Sequence, residues 1–240
     1  MPVSHALRCI FIHVPKAAGS SILSALRAYD DNLEFAGRGL WDILRDRNDA
    51  GPIVSHVRRM SSSTTLDGFA QTHFPAAALR ELVNEHLWNQ YLKFAFVRNP
   101  WDLVVSTYHY QRGRARQPQT RSVDPDVVAM LDRCDTFSDY VRLYPALRSD
   151  MSSMLADASD RLLVEFIGRY ESLESDLSKV SERLGFTLAL PHENRSEHEA
   201  YEDYYTPRTR AIVARHFSRD IDRFGYTFSK RMSSRPIFGD

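Results

Sequence analysis

The stretch His13-Val14-Pro15-Lys16-Ala17-Ala18-Gly19-Ser20-Ser21 decides how this chain is read. It follows an apolar segment, Cys9 to Val14, with the composition of a buried strand. It leads into Ile22-Leu23-Ser24-Ala25-Leu26, part of a predicted helix over Ser21 to Tyr29. A turn of small residues between strand and helix leaves backbone N–H groups without helical partners at the positive end of the helix dipole. Phosphate and sulfate groups bind well at such ends. Lys16 adds a mobile positive charge, and Ser20 and Ser21 add hydroxyl donors. The turn therefore suits an anion, and its lysine can assist departure of a phosphate leaving group. A nucleoside-triphosphate loop would read G-x-x-x-x-G-K-[ST], with lysine directly after the last glycine. Here Lys16 precedes Gly19 and no glycine lies upstream in the turn, so the order fails. An ordinary strand-to-helix turn with an exposed lysine remains the alternative for this motif alone.

A second segment has the same form. Lys93 to Val97 reads as a buried strand and runs into Arg98-Asn99-Pro100-Trp101-Asp102 and a predicted helix over Pro100 to Arg112. Asn99 suits the N-cap, Pro100 the first helical position and Asp102 the third. Arg98 thus stands at the carboxyl end of a strand, where open α/β sheets bind ligands. Ser106 follows about two turns along the helix, within reach of the same anion. A structural salt bridge for Arg98, and a hydroxyl bonded to its own backbone for Ser106, are the competing readings.

The coarse pattern alternates strands and helices. Strands are expected at Pro52–Val57 and at Leu162–Ile167, the latter ended by Gly168. Helices are expected at Pro75–His86, Asp126–Arg133, Phe137–Leu143, Leu173–Leu184 with Gly185 as the C′ residue, and Pro207–Phe217. A final turn is expected at Asp220–Phe224, and Ser61–Thr65 and Gly113–Asp124 read as polar loops. The pattern implies an α/β fold with a mainly parallel central sheet and helices on both faces. No Gly/Ser- or Pro-rich linker and no internal repeat divides the 240 residues. The chain is expected to be a single domain over 1–240, with 1–8 and 230–240 as flexible ends.

Lysine plus arginine equals aspartate plus glutamate, at 31 each, so the formal net charge is zero. A nucleic-acid binder would show a basic excess or stripe. Arg58, Arg59, Arg112, Arg114, Arg116 and Arg121 form local clusters that could line a groove for an anionic acceptor, or a solvated loop face. The amino end has no long apolar run, so neither a signal peptide nor a membrane span is expected. Cys9 and Cys134 lack C-x-x-C spacing and read as free thiols, and no His/Cys cluster has metal-ligand spacing.

The two strand–turn–helix units resemble those of the sulfotransferases, in particular the membrane-type carbohydrate sulfotransferases and their bacterial relatives. The family's first motif has the form I-H-[IV]-P-K-x-[AG]-G-[ST]-S and its second F-x-F-V-R-[ND]-P-W-D-x-x-V-S-x-Y. This chain reads IHVPKAAGSS and FAFVRNPWDLVVSTY. The likeness continues through FIGRYESL, LPHENRS, YYTP and RDIDRFGYTF. It implies a P-loop-like sulfotransferase fold and transfer of a sulfuryl group from PAPS (3′-phosphoadenylyl sulfate) to an acceptor hydroxyl, releasing PAP, with no metal. Lys16, Ala17, Ala18, Gly19, Ser20 and Ser21 would hold the 5′-phosphosulfate, and Lys16 would also act catalytically on the leaving phosphate. Arg98 and Ser106 would bind the 3′-phosphate. The late loop with Asn194, Arg195 and Ser196 would close on the nucleotide.

Family members use histidine or glutamate as general base. His73, in Thr72-His73-Phe74-Pro75, is the first choice, since relatives with a histidine base carry it in this interval. His56 and Glu34 are the alternatives, and His13 is read as a strand residue shaping the turn. The likeness implies a carbohydrate hydroxyl, on a polysaccharide or glycolipid, as acceptor; a lipid, polyketide or other small alcohol is the alternative. Golgi relatives carry an anchor, so the chain is expected to be a bacterial-type cytoplasmic enzyme or a catalytic domain without its anchor. A magnesium-dependent kinase and a PAP-binding module without chemistry are the rival functions. The misordered lysine argues against the first, and the retained Lys16 and His73 against the second.

Overall fold

The computed structural model describes residues 2–30, 32–35, 73–83, 85–116, 125–144, 150–190, 200–228 and 237–238. In chain order the elements are β1 (Pro2–Ser4), β2 (Cys9–Ile12), α1 (Gly19–Arg27), β3 (Glu34–Phe35), α2 (Ala76–Leu82) and α3 (Glu85–Gln90). They continue with β4 (Leu92–Val97), α4 (Pro100–Ala115), α5 (Pro125–Leu131), α6 (Phe137–Leu143), α7 (Ser152–Leu155) and β5 (Phe166–Arg169). The last are α8 (Leu173–Leu184), α9 (Pro207–His216), α10 (Ser218–Phe224) and β6 (Ile237–Phe238). Two compact units share the chain. One holds Met1–Val97, Ser153–Glu193 and Pro236–Asp240; the other holds Arg98–Ser152 and Asn194–Arg235.

The first unit carries the sheet, in the order β3-β1-β2-β4-β5-β6. β2, β4 and β5 are parallel neighbours, while β1, β3 and β6 add antiparallel pairings at the two edges. Ile10, Phe11 and Ile12 of β2 and Phe94 to Val97 of β4 are all buried, whichever face they point to. Both faces of the central strands are therefore covered, as a parallel sheet requires. Each fully buried phenylalanine contributes about 1.5–3 kcal/mol by leaving water. Because β2 and β4 run parallel, with Ile12 opposite Ala95, the chain leaves both strands at the same end of the sheet. This is an α/β fold, as the alternation of strands and helices implied.

Several local expectations change. Pro2–Ser4, expected in a loose end, form a strand between β2 and β3, because Val3 is buried and Ser4 is tied to Asp30 by a 2.7 Å hydrogen bond. At the other end, Ile237–Phe238 pair with β5. The helix expected over Pro75–His86 is two helices, with Val83 between them in extended conformation (ψ 138°). A β-branched residue followed by asparagine is a weak helix segment. The strand expected to end at Gly168 contains it. Gly168 sits opposite Phe96, and a Cβ there would come within 2.4 Å of the Phe96 ring, so the glycine makes room for an aromatic neighbour. Leu162 makes only an isolated bridge to Ala156. The expected strand Pro52–Val57 and loop Ser61–Thr65 lie outside the described residues.

The second unit is helical. Its longest element, α4, runs past Gly113 to Ala115, beyond the expected end at Arg112. Arg112 and Arg114 extend it by lying over the rings of Tyr108 and Tyr110, one turn back, and bonding to their hydroxyls. α6 and α9 each start with a capping box, at Thr136/Asp139 and Thr206/Thr209. Buried Asp220 of α10 accepts bonds from the N–H groups of Met151 and Ser152 (both 2.7 Å) and from the Ser152 hydroxyl (2.6 Å), securing the start of α7.

Candidate active site

The turn between β2 and α1 has an unusual backbone. Lys16 (φ 64°) and Ala18 (φ 63°) both adopt the left-handed conformation without being glycine. Such residues cost roughly 1–3 kcal/mol each and concentrate at functional sites. Alternation of hand along a turn aims successive N–H groups into one concavity, a form suited to anions. Ala18 is the N-cap of α1, and the first helical bond runs from Ile22 N–H to the Ala18 carbonyl. The N–H groups of Gly19, Ser20 and Ser21 thus precede the helical ladder. Gly19 is required by its neighbour: a Cβ there would lie 1.6 Å from Nε2 of His13.

His13 is buried at the end of β2, and burial, with the nearby His73 imidazole, holds its pKa well below the usual histidine range. Its ring is 4.2 Å from that of His73, centroid to centroid. Nδ1 of His73 lies 3.0 Å from the His13 carbonyl oxygen. A carbonyl only accepts, so His73 donates through Nδ1, and the neutral ring carries its lone pair on Nε2. That is the tautomer a general base needs. Of the expected bases, only His73 has a side chain among the described residues. Glu34 lies on β3 opposite Val3, with its backbone alone described, and His56 lies outside the described residues.

In the second unit, Arg98 is the first residue after β4 and is buried. Its Nε donates to Asp102 Oδ2 at 2.9 Å, which orients the guanidinium. The Asn99 side chain caps α4 by accepting from Trp101 N–H, as its position implied, and its amide also donates to the Thr227 carbonyl at 2.9 Å. Trp101 Nε1 donates to the Arg210 carbonyl, and the Tyr205 hydroxyl donates to the Trp101 carbonyl. The turn after β4 is therefore pinned by residues more than a hundred positions away. Ser106 is buried on α4.

Asn194, Arg195 and Ser196 lie outside the described residues, as do Arg58, Arg59 and Arg121. Cys9 and Cys134 are buried free thiols, with burial pushing Cys9 up to about 12. Two contributors were not read from the sequence. The i,i+4 spacing of Arg98 and Asp102 could have revealed their pair. The contact of His13 with His73 had no local signal, because residues 13 and 73 meet only through the fold, whereas its contact with Gly19 accords with its reading as a residue that shapes the turn. Among the described residues, no helix is long and apolar enough to cross a membrane.

The model of the sulfotransferase family matches residues 2–227, nearly the whole chain. A protein of Archaeoglobus fulgidus described only as uncharacterized is 32% identical over 123 residues, covering 50% of this chain and 85% of that protein. With both strand–turn–helix segments inside the matched span, this chain belongs to the sulfotransferase family and is an enzyme of sulfuryl transfer.

Proposed function

We propose that the chain moves a sulfuryl group from PAPS to a carbohydrate hydroxyl by in-line displacement. The observation that carries this reading is the turn after β2: left-handed Lys16 and Ala18, the leading N–H groups of α1, and the oriented His73 imidazole belong to one unit. The N–H groups of Gly19, Ser20 and Ser21 bind the 5′-phosphosulfate. Arg98 and Ser106 bind the 3′-phosphate and so select PAPS over ATP, with Asn194, Arg195 and Ser196 completing that grip. His73 Nε2 takes the proton as the acceptor oxygen bonds to sulfur. The bond from sulfur to the bridging phosphate oxygen breaks, and Lys16 meets the charge that builds on that oxygen. Such a donor matters most in the transition state.

The test is transfer of label from sulfur-35 PAPS to a panel of oligosaccharides, polysaccharides and glycolipids, with small alcohols and lipids as a second panel. Label on a saccharide is the expected result. Magnesium-dependent phosphoryl transfer from ATP, with no sulfate transfer from PAPS, would replace this reading with a kinase.

A further inference from the structure

His13 touches both the donor turn and the candidate base. Its ring lies on Gly19, at a spot where any side chain would overlap it, and its centroid is 4.2 Å from the centroid of His73. Its main-chain carbonyl accepts the Nδ1–H hydrogen bond of His73. The ring is buried and stacked on Phe11 of β2 (centroids 5.6 Å apart, planes 20° apart), so the sheet supports it from behind. We propose that His13 is a positioning residue. It sets the tautomer of His73 through its carbonyl and the tilt of His73 through its ring, and it ties that orientation to the backbone of the donor turn through Gly19. The proposal rests on the reading of His73 as the base.

The chemistry explains why a histidine that stays neutral fits here. A charged ring beside His73 would oppose the imidazolium that forms as the base accepts its proton. Burial keeps His13 uncharged, so His73 can take up charge. An imidazole is also flat enough to lie on Gly19, where a branched side chain would collide with the turn.

Nitrogen-15 NMR of the full chain, with assigned histidine ring nitrogens, reads the first part directly. His73 should be the Nδ1–H tautomer in the wild type when neutral; an Nε2–H tautomer overturns the proposal without any variant being made. In His13→Ala the main-chain carbonyl remains but the ring support is lost, so the His73 ring should keep its tautomer and become more mobile, read by nitrogen-15 relaxation of its ring nitrogens. Transfer from PAPS to methyl glycosides should then fall by about a hundredfold in kcat, the scale of a misplaced catalytic group. The loss should vanish in a His73→Ala background, because both substitutions act on one group. An equal loss in both backgrounds, or a His73 ring as rigid as in the wild type in a folded His13→Ala protein, rejects the positioning role. If His73→Ala alone leaves transfer intact, the assignment of the base fails. The NMR result then still decides whether His13 orients His73.

Discussion

Lys16 stands in a left-handed turn directly before α1, and the proposed mechanism has its ammonium act on an anion at the helix end. A charge recruited chiefly in the transition state shows itself in turnover more than in binding. Lys16→Ala is therefore expected to lose most of kcat while remaining folded, as measured by sulfur-35 transfer alongside circular dichroism; near-normal turnover would remove Lys16 from the chemistry. Arg98 calls for a different substitution. It is buried against Asp102, and removing one member of a buried pair costs about 3–5 kcal/mol of stability. Arg98→Lys keeps the charge but loses the planar fork that matches phosphate oxygens. Calorimetry should show PAP binding at least tenfold weaker, or about 1.4 kcal/mol, with AMP binding unchanged because AMP has no 3′-phosphate. Equal losses for both nucleotides would place Arg98 elsewhere.

Two elements carry predictions about stability. In β5, Gly168 faces the Phe96 ring, and an added methyl would press 2.4 Å from it. Gly168→Ala should cost about 1–3 kcal/mol, the range for overpacking a filled core, read as a lower urea midpoint with an unchanged slope. Asp220 of α10 sets burial against hydrogen bonding. Burial raises its pKa to about 6, against the pull of the bonds from Ser152 and Met151. A carboxyl whose folded pKa exceeds its unfolded value contributes stability that is complete below pH 4 and lost as pH rises through about 6. Roughly two units correspond to about 3 kcal/mol. Asp220→Asn lacks this titration and turns an amide donor toward a backbone N–H. The variant should be less stable than the wild type at pH 4.5, and the gap should narrow by pH 7. A gap that widens with pH would mean that the hydrogen bonds, not burial, dominate. Asp30 and Asp176 act in the opposite sense. At Asp30, hydrogen bonds led by Ser4 lower the pKa, and at Asp176 those from Lys179, Ser172 and Arg169 outweigh burial. Their contribution is lost as pH falls, which is why the comparison must be made against the Asn variant.

At the scale of the whole molecule, a ligand that binds only the folded chain stabilises it by mass action. PAP at a hundred times its dissociation constant should add about 2.7 kcal/mol and raise Tm by roughly 5–10 °C for a chain of this size. AMP at the same concentration should raise it less, because the 3′-phosphate is missing. Identical shifts in a thermal melt would contradict the assignment of the second motif. With PAP binding tenfold weaker in Arg98→Lys, the same PAP concentration should add only about 1.4 kcal/mol.

Features whose information is local could be read from the chain alone. Apolar runs of four to six residues marked β2 and β4, and small or capping residues marked the starts of α1 and α4. Gly185, with φ 74°, closed α8 where the pattern placed it, because few other residues enter that conformation readily. The two strand–turn–helix segments were legible for the same reason: the pattern of each lies within a short run of consecutive residues. Features that depend on distant partners emerged with packing. Gly168 looked like a strand end until Phe96 was seen across from it, and Pro2–Ser4 looked loose until β2 and β3 flanked them. The left-handed Lys16 and Ala18 had no compositional signal, since neither residue favours that conformation. The family resemblance singled out His73 as the candidate base, but its tautomer was not legible. That depends on a carbonyl sixty positions earlier, which only the folding of residue 73 onto the end of β2 brings within hydrogen-bonding distance.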